Sequence, residues 1–246
     1  ISTESICHVF IGDRSEEHPL DPRIFLMPAF GEYWRRLASI PRLFGEACWR
    51  YLLNPFDLGF LQSLTRLSQA LPAGFFDNEP IHEYLARMWS APGRTNDFRE
   101  LANRLFVVAV DLDTGESVKL GGPGFEHVPI SRAVQASTAL PGLYPPVEID
   151  GRSFVDGALR KTMHASVALQ EDLNLLLCLN PLVPFDARLA AEAGKSTGVG
   201  RLIEGGLPVV LSQTFRALIH SRLQVGMRQY DTEFEHTDVV LFEPDR

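Results

Sequence analysis

The stretch Leu105-Phe106-Val107-Val108-Ala109-Val110 constrains this chain most. A nearly continuous β-branched and apolar run has no polar side to turn toward water, so it reads as a strand covered on both faces. A strand of that kind needs a layer above and a layer below. Asn174–Leu179 (NLLLCL) repeats the signal further on. Helical patterns lie before, between and after them: one starts at Asp77-Asn78-Glu79-Pro80, another runs over 129–139 with Ser131 as its N-cap, and a long one covers 207–230. Strands alternating with helices predict an α/β sandwich with a largely parallel sheet, as a single domain over 1–246.

Shorter signals refine this. Asp111-Leu112-Asp113-Thr114-Gly115 turns the first strand back into a partner at 116–120, which makes both aspartates turn residues rather than a catalytic pair. Asp150-Gly151 fits a tight hairpin turn between strands at 147–149 and 153–155. A helix-like stretch follows Asp156-Gly157-Ala158 as far as Gln170, and a last strand covers 238–242. Gly121-Gly122-Pro123-Gly124 lacks both a following Lys-Ser/Thr and a GxGxxG pattern, so it reads as a loop.

Before the first strand, Tyr33, Trp34, Leu37, Ile40, Phe44 and Cys48 recur at helical spacing opposite Arg35, Arg36, Arg42 and Arg50. Leu58, Leu61, Leu64, Leu67 and Leu71 continue the pattern. Residues 28–74 are therefore expected to form a helical cap or a membrane-facing insertion. A net charge of −8 argues against a nucleic-acid partner. No apolar run reaches the ~18 residues of a membrane span. Cys7, Cys48 and Cys178 have no metal or redox spacing and read as buried thiols of a reducing compartment. The localisation expected is cytoplasmic, with peripheral membrane contact.

One carboxylate stands out. Asp156 ends a short strand and is followed by Gly157, which lets the backbone approach a neighbour closely. General base, metal ligand and backbone cap are all open to it; the metal role lacks a nearby His/Asp/Glu cluster.

From Phe75 to Pro184 the chain resembles the patatin-like phospholipase family. The resemblance rests on Phe75–Ile81 (FFDNEPI), Phe106–Gly115 (FVVAVDLDTG), Ala136–Pro146 (ASTALPGLYPP), Asp150-Gly151, Phe154–Ala158 (FVDGA) and Leu179-Asn180-Pro181, in that order and spacing. It implies a three-layer α/β sandwich and a lipid acyl hydrolase of phospholipase A or lysophospholipase type. The catalytic device implied is a Ser-Asp dyad without histidine. Asp156 is then the general base, and Asp156, Gly157 and Ala158 form the family's DG[GA] motif. Neither the Gly-rich oxyanion loop nor the GxSxG elbow is found, so both the nucleophile and the N-terminal part of the sheet are expected upstream of Ile1 or, for the nucleophile, on a second chain. Gly194-Lys195-Ser196-Thr197-Gly198 matches GxSxG but follows a polar Ala/Glu-rich segment and comes after the aspartate. Ser137 reads as a local hydrogen-bonding residue and His164 as structural or exposed. The reading calls for no metal or cofactor. It implies a phospholipid or other acyl-ester lipid as partner, a membrane surface, and a homo-oligomer where a second chain gives the serine. A second reading is a catalytically silent module that binds lipid or another partner.

Overall fold

The computed structural model describes residues 21–31, 33–34, 38, 41, 45, 73–160, 163–171, 173–181, 206–234 and 236–243. Cys7, Cys48, Ser196, the 194–200 loop and most of the expected cap lie outside the described residues.

Strands β1 (Val107–Asp111) and β2 (Ser117–Leu120) form the first hairpin. Its turn is tied by side chain as well as backbone: Asp113 N–H donates to Asp111 Oδ1 at 2.9 Å, and Gly115 sits at φ 70°. Helix α1 (Glu79–Trp89) precedes the hairpin, and α2 (Ile130–Ser137) follows it. Strands β3 (Val147–Ile149) and β4 (Arg152–Asp156) make the second hairpin. Asp150 and Gly151 both have positive φ, at 52° and 73°, the requirement of the two-residue turn whose twist matches its strands.

These strands form one sheet in the order β2-β1-β4-β3, antiparallel throughout. The largely parallel sheet expected from the sequence is thus not what the described residues show. The physical reason lies in the connections: two short hairpins can join only antiparallel neighbours. Among the described strands, β5 (Leu175–Leu179) and β6 (Asp238–Phe242) pair in parallel, with the long helix α4 (Gly206–Glu233) between them in the chain; α3 is the short Ala165–Leu169.

Helix α2 lies on β1 and β4 and on its other side meets α1. The main core gathers Phe98, Ala109, Leu120, Ala133, Ala136 and Phe154 at this junction. A second core joins Ala165, Leu169, Cys178 and Tyr230. Burial pushes the Cys178 thiol pKa upward. Strand β5 buries only Cys178, while Leu175, Leu177 and Leu179 are exposed, so the expectation of two covered faces fails here. Among the described residues, packing reaches this small sheet from one side, where Leu176 joins the α3–α4 core.

Two local expectations are corrected. Ser131 lies buried inside α2 rather than at its N-cap, and Asn96 does the capping: its Oδ1 accepts from Ser131 N–H at 2.8 Å and its Nδ2 donates to Ser131 Oγ at 2.9 Å. The helix expected after Asp156 is broken into a 3-10 turn over Gly157–Leu159 and then α3.

An ion pair between half-buried Arg152 and buried Asp111 pins β4 to β1. Arg152 Nε donates to Asp111 Oδ2 at 2.9 Å, and the guanidinium carbon lies 5.6 Å from the ring centroids of both Phe125 and Phe154. Burial works against the Asp111 charge, but Arg152 and the Asp113 N–H outweigh it and hold the carboxyl below the ordinary range.

Candidate functional site

Asp156 is the last residue of β4, paired with Ala109 of β1. Beyond it the ladder stops, and four other contacts hold the chain. Asp156 N–H donates to Ala139 O at 3.1 Å, which ties the strand end to the turn after α2. Asp156 Oδ1 accepts from Ala158 N–H at 2.8 Å and so caps the 3-10 turn. Gly157 O accepts from Arg160 N–H at 3.2 Å and lies 2.8 Å from His164 Nε2, which must therefore carry the donated hydrogen.

Gly157 is required by space. A Cβ there would stand 2.5 Å from Val108 O and 3.2 Å from His164 Nε2. The Val108 carbonyl lies just past the end of the β1–β4 register, and Ser137 Oγ satisfies it from α2 at 2.8 Å. Ser137 thus does the local bonding expected of it. His164 is half-buried and holds a left-handed conformation at φ 36°, uncommon for a non-glycine residue. Its part in clamping the turn was not visible in the sequence; a histidine eight positions past the aspartate gives no periodic cue.

The Asp156 carboxyl is half-buried. Burial raises its pKa above the ordinary 3.8, and the Ala158 N–H partly opposes the rise. With Oδ1 engaged, Oδ2 makes no hydrogen bond among the described residues. Such a carboxylate has a spare acceptor and enhanced basicity, which suits it to taking a proton. Among the described residues no group of three His, Cys, Asp or Glu side chains could hold a metal. Of the roles open to Asp156, the cap is seen directly and the base is chemically available.

A cavity of about 760 Å³ lies elsewhere, between the starts of α1 and β3, lined by Asp77, Glu79, Arg132, Gln135 and Glu148 among others. Asp156 is not in its wall. Its floor is a polar cluster that no sequence spacing signals. Arg132 pairs with Glu79 at 2.8 Å and with Gln135 at 2.7 Å, and Gln135 donates to Asn78 Oδ1 at 3.1 Å. Burial alone would raise the Glu79 pKa, yet Arg132 and Gln135 bring it below the ordinary value.

Residues 29–169 match the family model of patatin-like phospholipase. Uncharacterized NTE family proteins of Mycobacterium bovis and Mycobacterium tuberculosis are 35% identical to the chain over 98 residues. That match takes in 39% of this chain and 26% of each relative, about a quarter of their length. The stretch 29–169 contains α1, the antiparallel sheet, α2 and the Asp156 turn, and the chain belongs to the patatin-like phospholipase family.

Proposed function

We propose that this chain is part of a lipid acyl hydrolase of phospholipase A or lysophospholipase type, working with a Ser-Asp dyad in which Asp156 is the base. The observation that carries the reading is the Asp156 carboxyl itself: half-buried, raised in pKa by that burial, and with Oδ2 open while Oδ1 is fixed by Ala158 N–H. Fixing one oxygen orients the other, which removes part of the entropy cost of proton transfer.

The chemistry follows. Oδ2 takes the proton of a serine hydroxyl as its oxygen attacks the ester carbonyl, and the carbonyl electron pair moves onto oxygen. Collapse of that tetrahedral species expels the alcohol, which leaves with the proton from Asp156. Water then attacks the acyl-serine as Asp156 takes its proton, and collapse expels the serine oxygen, which takes that proton back from Asp156 as the fatty acid is released. The serine is supplied from upstream of Ile1, together with backbone N–H groups for the oxyanion. The protein works in the cytoplasm at a membrane surface.

The second reading, a silent lipid-binding module, draws support from the same carboxylate, because capping the 157–159 turn is already a sufficient structural role for it. Asp156→Asn separates the two, since Asn keeps an oxygen for the Ala158 N–H but cannot serve as base. In protein that includes the segment upstream of Ile1, kcat for a short-chain ester is expected to fall by at least about a hundredfold. Undiminished hydrolysis by Asp156→Asn sinks the dyad; absence of hydrolysis in the parent, with lipid binding retained, favours the module.

A further inference from the structure

Two hydrogen bonds at the Asp156 turn share one peptide group. His164 Nε2–H donates to Gly157 O at 2.8 Å, and Ala158 N–H donates to Asp156 Oδ1 at 2.8 Å. Gly157 C=O and Ala158 N–H are the two ends of a single planar amide, whose C–N bond has partial double-bond character. A donor at the amide oxygen draws electron density from the nitrogen and makes its N–H a better donor, so the two bonds strengthen each other. The line runs from imidazole through peptide to carboxylate. It ends on the oxygen that fixes the candidate base, opposite the one left open.

The fold holds His164 in this place against local preference. Its backbone sits at φ 36° and ψ 29°, a left-handed conformation that a non-glycine residue keeps only where its surroundings fix it. His164 stands at the N-cap of α3, yet its side chain makes no capping bond to that helix. The ring reaches back seven residues to Gly157 instead. The peptide it meets is itself confined. Val108 O lies 2.5 Å from where a Gly157 Cβ would stand, and Arg160 N–H also donates to Gly157 O.

Charge leaves this peptide as the means of adjusting Asp156. Burial pushes the carboxyl pKa up, and the Ala158 N–H pulls it down. Arg160 and Arg222, the cations that bond around the turn, donate to Gly115 O and Leu159 O rather than to the carboxyl. Strand β1 and the turn after α2 meet it with Ala109 and Ala139, which carry no charge. A base has to be ionised before it can accept a proton, so a donor that offsets burial serves the chemistry directly.

We propose that His164 is a positioning residue for Asp156, acting through the Gly157–Ala158 peptide to hold Oδ1 and keep Oδ2 oriented for proton transfer. Its catalytic purpose rests on the dyad reading, but the link itself is tested without turnover.

The test is carboxyl-carbon NMR of Asp156 in the 246-residue chain, followed through its protonation. His164→Ala should raise the midpoint by roughly 0.1–0.7 pH, the effect of losing cooperative support for one charge-assisted bond. His164→Gln, whose side-chain amide can donate from a similar position, should bring the midpoint back toward wild type. In wild type the Ala158 amide proton should move downfield as Asp156 ionises, with the same midpoint, a reading that needs no variant. A merely structural clamp would lower the melting temperature of His164→Ala and leave the Asp156 midpoint unchanged. That result, or an Ala158 amide that does not follow the carboxyl, overturns the proposal. In protein that includes the segment upstream of Ile1, His164→Ala should lower kcat by about tenfold with KM unchanged. The acid limb of its kcat/KM profile should move to higher pH with the NMR midpoint, and His164→Gln should recover both; an unmoved limb counts against the link. Undiminished hydrolysis by Asp156→Asn sinks the dyad, whereas an Asp156 midpoint indifferent to His164 sinks the link.

Discussion

Gly157→Ala probes the turn that presents Asp156. The added methyl would lie 2.5 Å from Val108 O and 3.0 Å from Val108 C, where ordinary contact begins near 3.4 Å. Almost an ångström must be recovered, and the obstructing atoms are backbone, not the tip of a flexible side chain. Either β1 shifts and breaks the 2.8 Å bond from Ser137 Oγ, or the Gly157 peptide moves away and loses His164 Nε2. Overpacking costs about 1–3 kcal/mol and one lost hydrogen bond about 0.5–1.5 kcal/mol, so the substitution should cost roughly 2–4 kcal/mol. For a chain of this size that is a fall in Tm of roughly 5–15 °C. Urea unfolding measures it directly, as a lower midpoint with an unchanged slope. Gly151→Ala is the control: nothing lies within 4 Å of its Cβ, so only the left-handed backbone at φ 73° counts against it, about 1–2 kcal/mol. If Gly157→Ala costs less than Gly151→Ala, the close approach of the turn to β1 is not real and the site geometry falls with it.

Asp156→Asn should raise stability at neutral pH. Burial lifts the folded-state pKa above the ordinary 3.8, so folding disfavours the ionised form. That penalty is complete above the folded pKa and disappears as pH falls below the unfolded value. The gain from Asn should therefore shrink on acidification, and unfolding midpoints at pH 7 and near pH 3 check it; a gain that grows as pH falls contradicts the assignment. Ser137→Ala should cost about 1 kcal/mol by leaving the Val108 carbonyl without its side-chain donor, read as a urea midpoint shift.

The two hairpins were legible because their information is local. Asp150-Gly151 and the Asp111–Gly115 turn specify backbone conformation within a few residues, and the strands beside them fall where the apolar runs place them. The motif around Asp156 was legible only by resemblance, because Phe154–Ala158 stands in order and spacing with the other pieces that resemble the patatin-like phospholipase family. What the sequence could not give was any fact set by residues distant in the chain. The antiparallel pairing of Ala109 with Asp156 depends on how α2 returns the chain, and apolar content is the same for either strand direction. The apolar run at 175–179 promised two covered faces, but coverage depends on which layers arrive, and Leu175, Leu177 and Leu179 face outward. His164 meets Gly157 O only because the helix breaks between them, and Arg132 reaches Glu79 from 53 residues away.

By itself, then, the sequence determined where the two hairpins turn and which described segments around them are strands, and its resemblance to a known family singled out Asp156 and Gly157. Tertiary structure alone decided that Asp156 has one oxygen bound and one open, that burial raises its basicity, and that Gly157 is demanded by Val108 O rather than by its own φ. Turn chemistry is a property of neighbouring residues. Basicity and steric exclusion belong to whatever the fold brings against them.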